Sequence, residues 1–269
     1  MNVREDKKII MNNTTTVFCT YERSLAGGYL DNFYRYKNLL PSIHVMFDNK
    51  QDISLEKLEE TYKAPVTTYN LNDFEINNFN RPIDIRHRWG SHQNPNYFYA
   101  HFRMLLYFLK NNSFDYYWFF DDDVFFDGNI SELLNGYEGY NADFISIQAF
   151  KGGDYPELPH VSKVNNRMLG SHGNWLGMAP GPGDNYKSVQ KHLGCFFPIV
   201  RFSNKAMQHL LELNKQDFYG YSEGFVPTSL ASDGFIVASM LDEWDNYFVQ
   251  HNSACKLIHK NIPFTWSWI

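Results

Sequence analysis

Three consecutive carboxylates, Asp121, Asp122 and Asp123, close the apolar run Tyr116 to Phe120, and apolar character resumes with Val124, Phe125 and Phe126. Adjacent like charges repel, and aspartate suits a strand poorly, so the cluster is costly unless a countercharge stands beside it. A hard divalent cation, Mg2+ or Mn2+, supplies that countercharge. Such ions take oxygen ligands from one or two carboxylates, with phosphate oxygens and water completing the shell. In open α/β sheets, ligands gather outside the carboxyl ends of the strands, which is where this cluster falls. The competing reading is a plain exposed acidic turn.

The elements that must position the cluster are legible on both sides of it. TTTVFCTYE is β-branched and aromatic and reads as a buried strand, followed by the glycine pair Gly27-Gly28. Tyr29, Phe33, Tyr36 and Leu40 recur at 4-3-4 spacing, which lines one face of a helix that stops before Pro41. IHVMFDN predicts a second strand, SLEKLEETY a short helix and APVTTYN a third strand. The segment 72–96 reads as irregular. After it, Phe98, Phe102, Leu105 and Leu109 repeat the 4-3-4 pattern of an amphipathic helix leading into the acidic strand.

Beyond the cluster, ISELLNGY reads as a helix, ADFISIQAF as a strand, CFFPIVRFS as a strand and NKAMQHLLELN as a helix. GYSEGFVPTSLAS reads as a loop feeding a short helix, and GFIVASML as the last strand. The stretch 152–186 is rich in Gly and Pro without periodicity, which marks a long functional loop. Strands alternating with helices at this pace predict an α/β fold, with a central, mostly parallel sheet flanked by helices. No linker divides the chain. Residues 1–13 form a polar, frayed segment and 14–269 one domain, with a ligand-binding half at about 14–128 and a second half at about 129–269.

Composition narrows the function. The net charge is -6 and Lys and Arg form no stripe, which argues against a nucleic-acid partner. Cys19, Cys195 and Cys255 form no CxxC pair, which fits a reducing compartment and gives no zinc site. The opening MNVREDKKIIMNN carries no apolar signal core, and no run approaches the ~20 apolar residues of a membrane span. A cytoplasmic protein is expected, with a peripheral membrane contact left open.

An apolar strand ending in Asp-x-Asp, followed by more apolar residues, resembles the GT-A fold glycosyltransferases, a Rossmann-like class. The match falls on Asp121 and Asp123, with Asp122 between them. The resemblance implies transfer of a sugar from a nucleotide diphosphate, UDP being the commonest, to an acceptor hydroxyl on a carbohydrate or lipid-linked glycan. It implies Mn2+ or Mg2+ as cofactor, with Asp123 a direct ligand and Asp121 facing the ribose or a metal-bound water. Thr20 and Tyr21, ending the first strand, and Asp48, ending the second, would face the nucleotide; a strand-end Asp also forms simple turns.

Inverting members of that class need a carboxylate at a downstream helix start to take the acceptor's proton, and Glu223 resembles it. Glu223 also suits the positive end of a helix dipole without any chemistry. Asp233 is the reserve, although Asp233-Gly234 reads more simply as a turn. By the same resemblance His259 would be a further metal ligand, with His251 as rival. Arg86 and Arg88 suit phosphate oxygens or plain solvent. The stretch 177–184 suits a lid, and Phe264, Trp266 and Trp268 suit sugar stacking or core packing. The rival chemistries are nucleotidyl transfer, metal-dependent phosphate hydrolysis, and binding without turnover.

Overall fold

The structure is a computed structural model describing residues 13–25, 27–40, 42–79, 100–122, 124–126, 129–146, 149–151, 193–195, 197, 199–220, 222–239, 244–248, 254–259 and 262–268. Strand β1 is Thr14–Tyr21, and a single 3-10 turn, Glu22–Leu25, leads to helix α1, Gly28–Leu39. Gly27 precedes that helix with φ of 65°, a left-handed conformation that glycine adopts without strain. Strand β2 is Ile43–Asp48, helix α2 Leu55–Tyr62 with Ser54 as N-cap, and strand β3 Val66–Tyr69. The first strand–helix–strand units therefore fall where the periodicity put them.

Helix α3, Leu71–Ile76, stands inside the stretch read as irregular. Its signal is a cap rather than an apolar face: Asn70 Oδ1 accepts from the Asp73 amide, and Asp73 Oδ2 accepts from the Asn70 amide at 2.8 Å. Helix α4, Ala100–Lys110, appears as expected, but it is buried on more than one stripe. Leu109, placed on the buried face by spacing, is 43% exposed, while Met104, Leu106 and Tyr107 are inside. Strand β4, Tyr116–Asp121, carries the acidic run at its end, and β5, Val124–Phe126, follows.

Helix α5 is Ile130–Asn135. ADFISIQAF divides into β6, Phe144–Ser146, and β7, Ala149–Lys151; CFFPIVRFS divides into β8, Leu193–Cys195, and β9, Ile199–Ser203. β7 and β8 pair with each other in a small antiparallel ribbon, while β6 and β9 join the main sheet. Pro198 lacks the N–H that one continuous strand would need. Helix α6 is Asn204–Lys215 and helix α7 is Ser222–Ser232, with Pro227 inside it. α7 is thus a full helix rather than a loop, and Ser222 through Leu230 are all buried, so it shows no amphipathic stripe to read.

Strand β10, Val237–Ser239, is not the last one. β11, Trp244–Phe248, β12, Ala254–His259, and β13, Ile262–Trp268, form an antiparallel sheet with β5.

Among the described residues the main sheet runs β10-β6-β9-β4-β1-β2-β3. β4, β1, β2 and β3 are parallel, β10 and β6 are parallel, and β9 runs antiparallel between the two groups. The expected mostly parallel α/β sheet is present. One face packs Val17, Tyr117 and Phe119 with α4 and α6; the other packs Phe18, Trp118 and Phe120 with α1, α2 and α5. Alternation along each strand, with a period of two, assigns every side chain to one of these faces. Among the described residues no helix is long and apolar enough to cross a membrane.

Candidate active site

Parallel pairing brings the carboxyl ends of β1, β2, β3 and β4 to one edge. Cys19 is level with Asp121, Tyr21 with Asp48, and Asp48 with Tyr69. The period of two then sends Asp121 and Asp122 to opposite faces, and each meets a different partner.

Asp121 continues the face of Tyr117 and Phe119, toward α4. Arg103 of α4 reaches it, and an Nη of the guanidinium forms an ion pair with Asp121 Oδ1. The two side chains are 13% and 25% exposed, so the pair is largely shielded from water. Burial alone would lower Arg103, but the Asp121 carboxylate outweighs it and holds the guanidinium above its usual value. Sequence reasoning missed Arg103. The detectable signal was a cation on the helix immediately before the acidic strand, on a turn otherwise apolar.

Asp122 continues the face of Phe120, toward α1, and is 2% exposed. Its Oδ2 accepts from Ser24 Oγ and, at 3.4 Å, from Thr20 Oγ1, which also sits 3.4 Å from the Tyr62 hydroxyl. Thr20, expected to face a nucleotide, is itself buried and serves this carboxylate. Helix α1 clamps the backbone that follows: Asn32 Nδ2 donates to the Val124 carbonyl at 2.7 Å, and the Tyr36 hydroxyl donates to it at 2.8 Å. Two members of the acidic run therefore have protein partners, and the third, Asp123, lies outside the described residues.

Asp48 ends β2, is 5% exposed, and pairs with Lys50 at 3.2 Å. Burial pushes its carboxyl up, while Lys50 and Arg103 pull it down and Glu22 adds to the rise. Cys19 lies in the same field, and burial pushes its thiol up to about 12. It stays protonated and is not a nucleophile. Glu22, Asp48, Arg103 and Asp121 thus form one charged cluster at the carboxyl edge.

Buried polar atoms are nearly always hydrogen-bonded, so exceptions point to something a site is built to receive. Among the described residues four buried side-chain atoms lack a partner, and three of them, Glu22 Oε1, Asn32 Oδ1 and Arg103 Nε, belong to this edge. The donor chemistry here is hard oxygen, the type Mg2+ or Mn2+ takes, and Asp121 keeps a quarter of its side chain exposed. No group of three or more His, Cys, Asp or Glu arranged for a metal occurs among the described residues.

No family model and no curated protein matches the sequence. Among solved structures the chain is similar to mouse xyloside xylosyltransferase 1, at 11% identity and a TM-score of 0.46, over 88% of each chain. It is also similar to the mannosyltransferase Ktr4p from S. cerevisiae, at 13% identity and a TM-score of 0.43, over 95% of this chain and 75% of that one. A third similarity is to a putative glucose-1-phosphate thymidylyltransferase from Bacillus anthracis, at 7% identity and a TM-score of 0.44, over 84% and 85% of the two chains. Likenesses this loose decide nothing by themselves, and the functional reading rests on the chain's own residues.

Glu223 occupies the first turn of α7 and is 7% exposed. α7 is fastened at its start and at its middle. Thr228 Oγ1 accepts from the Leu193 amide at 2.9 Å and donates to the Leu193 carbonyl at 3.0 Å. Ser222 Oγ lies 2.9 Å from His101 Nδ1 and accepts from the His101 amide at 3.3 Å. Gly220 passes so close to Phe225 that an added Cβ would sit 2.9 Å from the Phe225 Cβ, so this entry into α7 requires glycine. The charge of Glu223 is felt at Cys195 on β8, where burial first and Glu223 second raise the thiol. Helix α4 connects both candidate groups, through Arg103 to Asp121 and through His101 to the residue beside Glu223.

The register does not bring His259 to the acidic edge. On β13, Trp268 stands level with Val124, while His259 of β12 pairs with Ile262 at the far end of the hairpin. Six residues of strand separate the two levels, about 20 Å. Asp233 lies in the turn after α7 and bonds His209 Nε2 at 2.7 Å, the turn role its sequence suggested. Arg86, Arg88, His251 and 177–184 lie outside the described residues, as do the side chains of Phe264, Trp266 and Trp268.

His101 gives a pH prediction. Burial pushes it down to about 3 from 6.5, so the unfolded chain takes up a proton between those values and the folded protein does not. Its contribution to stability is complete above the unfolded value and is lost as pH falls below it, at about 1.4 kcal/mol per pH unit. Urea unfolding from about pH 7 down to about pH 5 should show this slope, and His101→Asn should flatten it. An equal slope in the variant would refute the assignment.

Proposed function

We propose that this chain is a glycosyltransferase that moves a sugar from a nucleoside diphosphate to an acceptor hydroxyl on a glycan or lipid-linked glycan. The observation that carries the reading is the carboxyl edge. There an acidic turn, a strand-end Asp48 and a fixed guanidinium, Arg103, surround buried polar atoms that lack partners. A diphosphate ester with a ribose offers both the anions and the hydroxyls that such an edge complements.

Asp121 and Asp123 are the residues proposed to hold a divalent cation, with Asp122 fixing the turn from inside. Charge building on the leaving diphosphate would be answered by that bound cation. Asp48 and Tyr21, side by side in register, are proposed to contact the nucleoside. Glu223 takes the proton of the acceptor hydroxyl as its oxygen attacks the anomeric carbon; the bond to the diphosphate breaks, and the configuration inverts. Arg103 holds Asp121 in place through their ion pair.

The first measurement is a thermal-shift panel of UDP, GDP, CDP and ADP, with and without Mn2+, on the wild type and Asp123→Asn. A ligand that binds only the folded state raises Tm by mass action. A Mn2+-dependent rise with one nucleotide, lost in the variant, is expected, and it names the donor for transfer assays. Equal Tm values across the panel would remove the donor site and move phosphate hydrolysis or plain binding ahead.

A further inference from the structure

The amino edge of the same strands carries a second unusual group. Arg201 lies on β9, level with Trp118, and is 2% exposed. Its guanidinium rests 4.3 Å from the centroid of the Tyr116 ring. Nη1 donates to the Tyr137 carbonyl at 2.9 Å, and Nη2 donates to the Tyr140 and Ala142 carbonyls at 2.6 and 3.0 Å. These carbonyls hold the chain between α5 and β6 in place but bring only partial charge, and Nε is buried without a partner. Among the described residues no carboxylate forms an ion pair with it; Asp143 is taken by Lys205 at 2.9 Å, by Ser203 Oγ and by the Ile236 amide. Burial holds Arg201 down to about 10, against the smaller opposing pull of Tyr116, Tyr137, Tyr140 and Asp143.

Arg201 lines an open cavity of about 120 Å3 on the α1 and α5 face of the sheet. The hydroxyls of Thr14, Thr16, Ser42 and Ser131 and the amide of Asn135 share its walls. The Ser131 hydroxyl already donates to Asn129 Oδ1 at 2.6 Å and the Ser42 hydroxyl to Thr15 Oγ1 at 3.5 Å, which leaves the Thr16 hydroxyl and the exposed Asn135 amide as wall donors. Glu138 also borders the cavity, but it is exposed and screened by water. A buried guanidinium that keeps one unpartnered N–H, with neutral donors in the same cavity wall, is chemistry that suits an oxyanion.

We propose that this cavity is an oxyanion site, in which a phosphate group pairs with the Arg201 guanidinium and takes the Nε–H that has no partner in the fold. The site stands apart from the proposed donor edge and does not depend on that reading.

Inorganic phosphate titrated into 15N-labelled protein at constant ionic strength tests it. Saturable shifts are expected at the Arg201 Nε–H and at the amides of Thr16 and Ser42, and they should persist in Asp121→Asn. Ser42→Glu places a carboxylate in the cavity wall. This variant should melt above the wild type without phosphate and bind phosphate at least about tenfold more weakly. A phosphate monoester that binds more tightly than the free ion would identify the group as part of a larger ligand; equal affinities would identify the ion itself. Non-saturating shifts in the wild type, or undiminished binding in Ser42→Glu, would overturn the proposal.

Discussion

Replacing Glu223 with Gln is expected to lower sugar transfer by about 10²–10⁴-fold while the donor KM stays within about threefold. The substitution keeps the side chain's shape and removes only its charge and basicity. Glu223 is 7% exposed, and α7 is held by Ser222 and Thr228, so the helix should keep its place. Removing a buried negative charge should leave Tm unchanged or slightly raised, which separates a chemical loss from unfolding. The loss then belongs in kcat, because the proton is taken only as the acceptor attacks. Near-normal transfer by Glu223→Gln would mean the acceptor's proton goes elsewhere, and inversion through this residue would be abandoned.

Arg103→Met should cost stability as well as activity. It removes the guanidinium that pairs with the Asp121 carboxylate beside Cys19. Breaking a fully buried pair costs about 3–5 kcal/mol, and the partial exposure here reduces that to roughly 2–4 kcal/mol. The double variant Arg103→Met with Asp121→Asn should recover most of the loss, because the orphaned charge is removed with its partner. Urea unfolding of the four proteins of this cycle gives the coupling directly. A single-variant loss below about 0.5 kcal/mol would place the pair with ordinary surface ion pairs and remove Arg103 from the account of the acidic turn.

Much of this was legible from residue types. The alternation of TTTVFCTY with the 4-3-4 helix at Tyr29 to Leu40 fixed the parallel half of the sheet, because both patterns follow from which face is buried. The acidic run was found for the same reason: three carboxylates after an apolar strand demand an explanation. The explanation was only partly legible. The countercharge of Asp121 comes from Arg103, eighteen residues upstream, and nothing in local spacing says that α4 crosses the end of β4. Likewise Thr20 reads as a strand-end residue open to a ligand, yet pairing with β4 turns it toward Asp122. α7 escaped because periodicity needs a solvent side, and this helix has almost none. The divided strands at Ser146 and Cys195 escaped because apolar runs look alike whether they cross one sheet or two.

Arg103 and His101 stand two residues apart on α4, one tied to the end of β4 and the other to the start of α7. The helix therefore carries a contact to each half of the chain. A ligand that tightens or loosens Arg103 against Asp121 works against the same rigid body that holds Ser222. If a ligand at one end shifts α4, linkage is reciprocal: whatever factor the first ligand adds to the affinity for the second, the second returns to the first. Ligands bound at these two places would then report on each other without touching, each strengthening or weakening the other by the same factor.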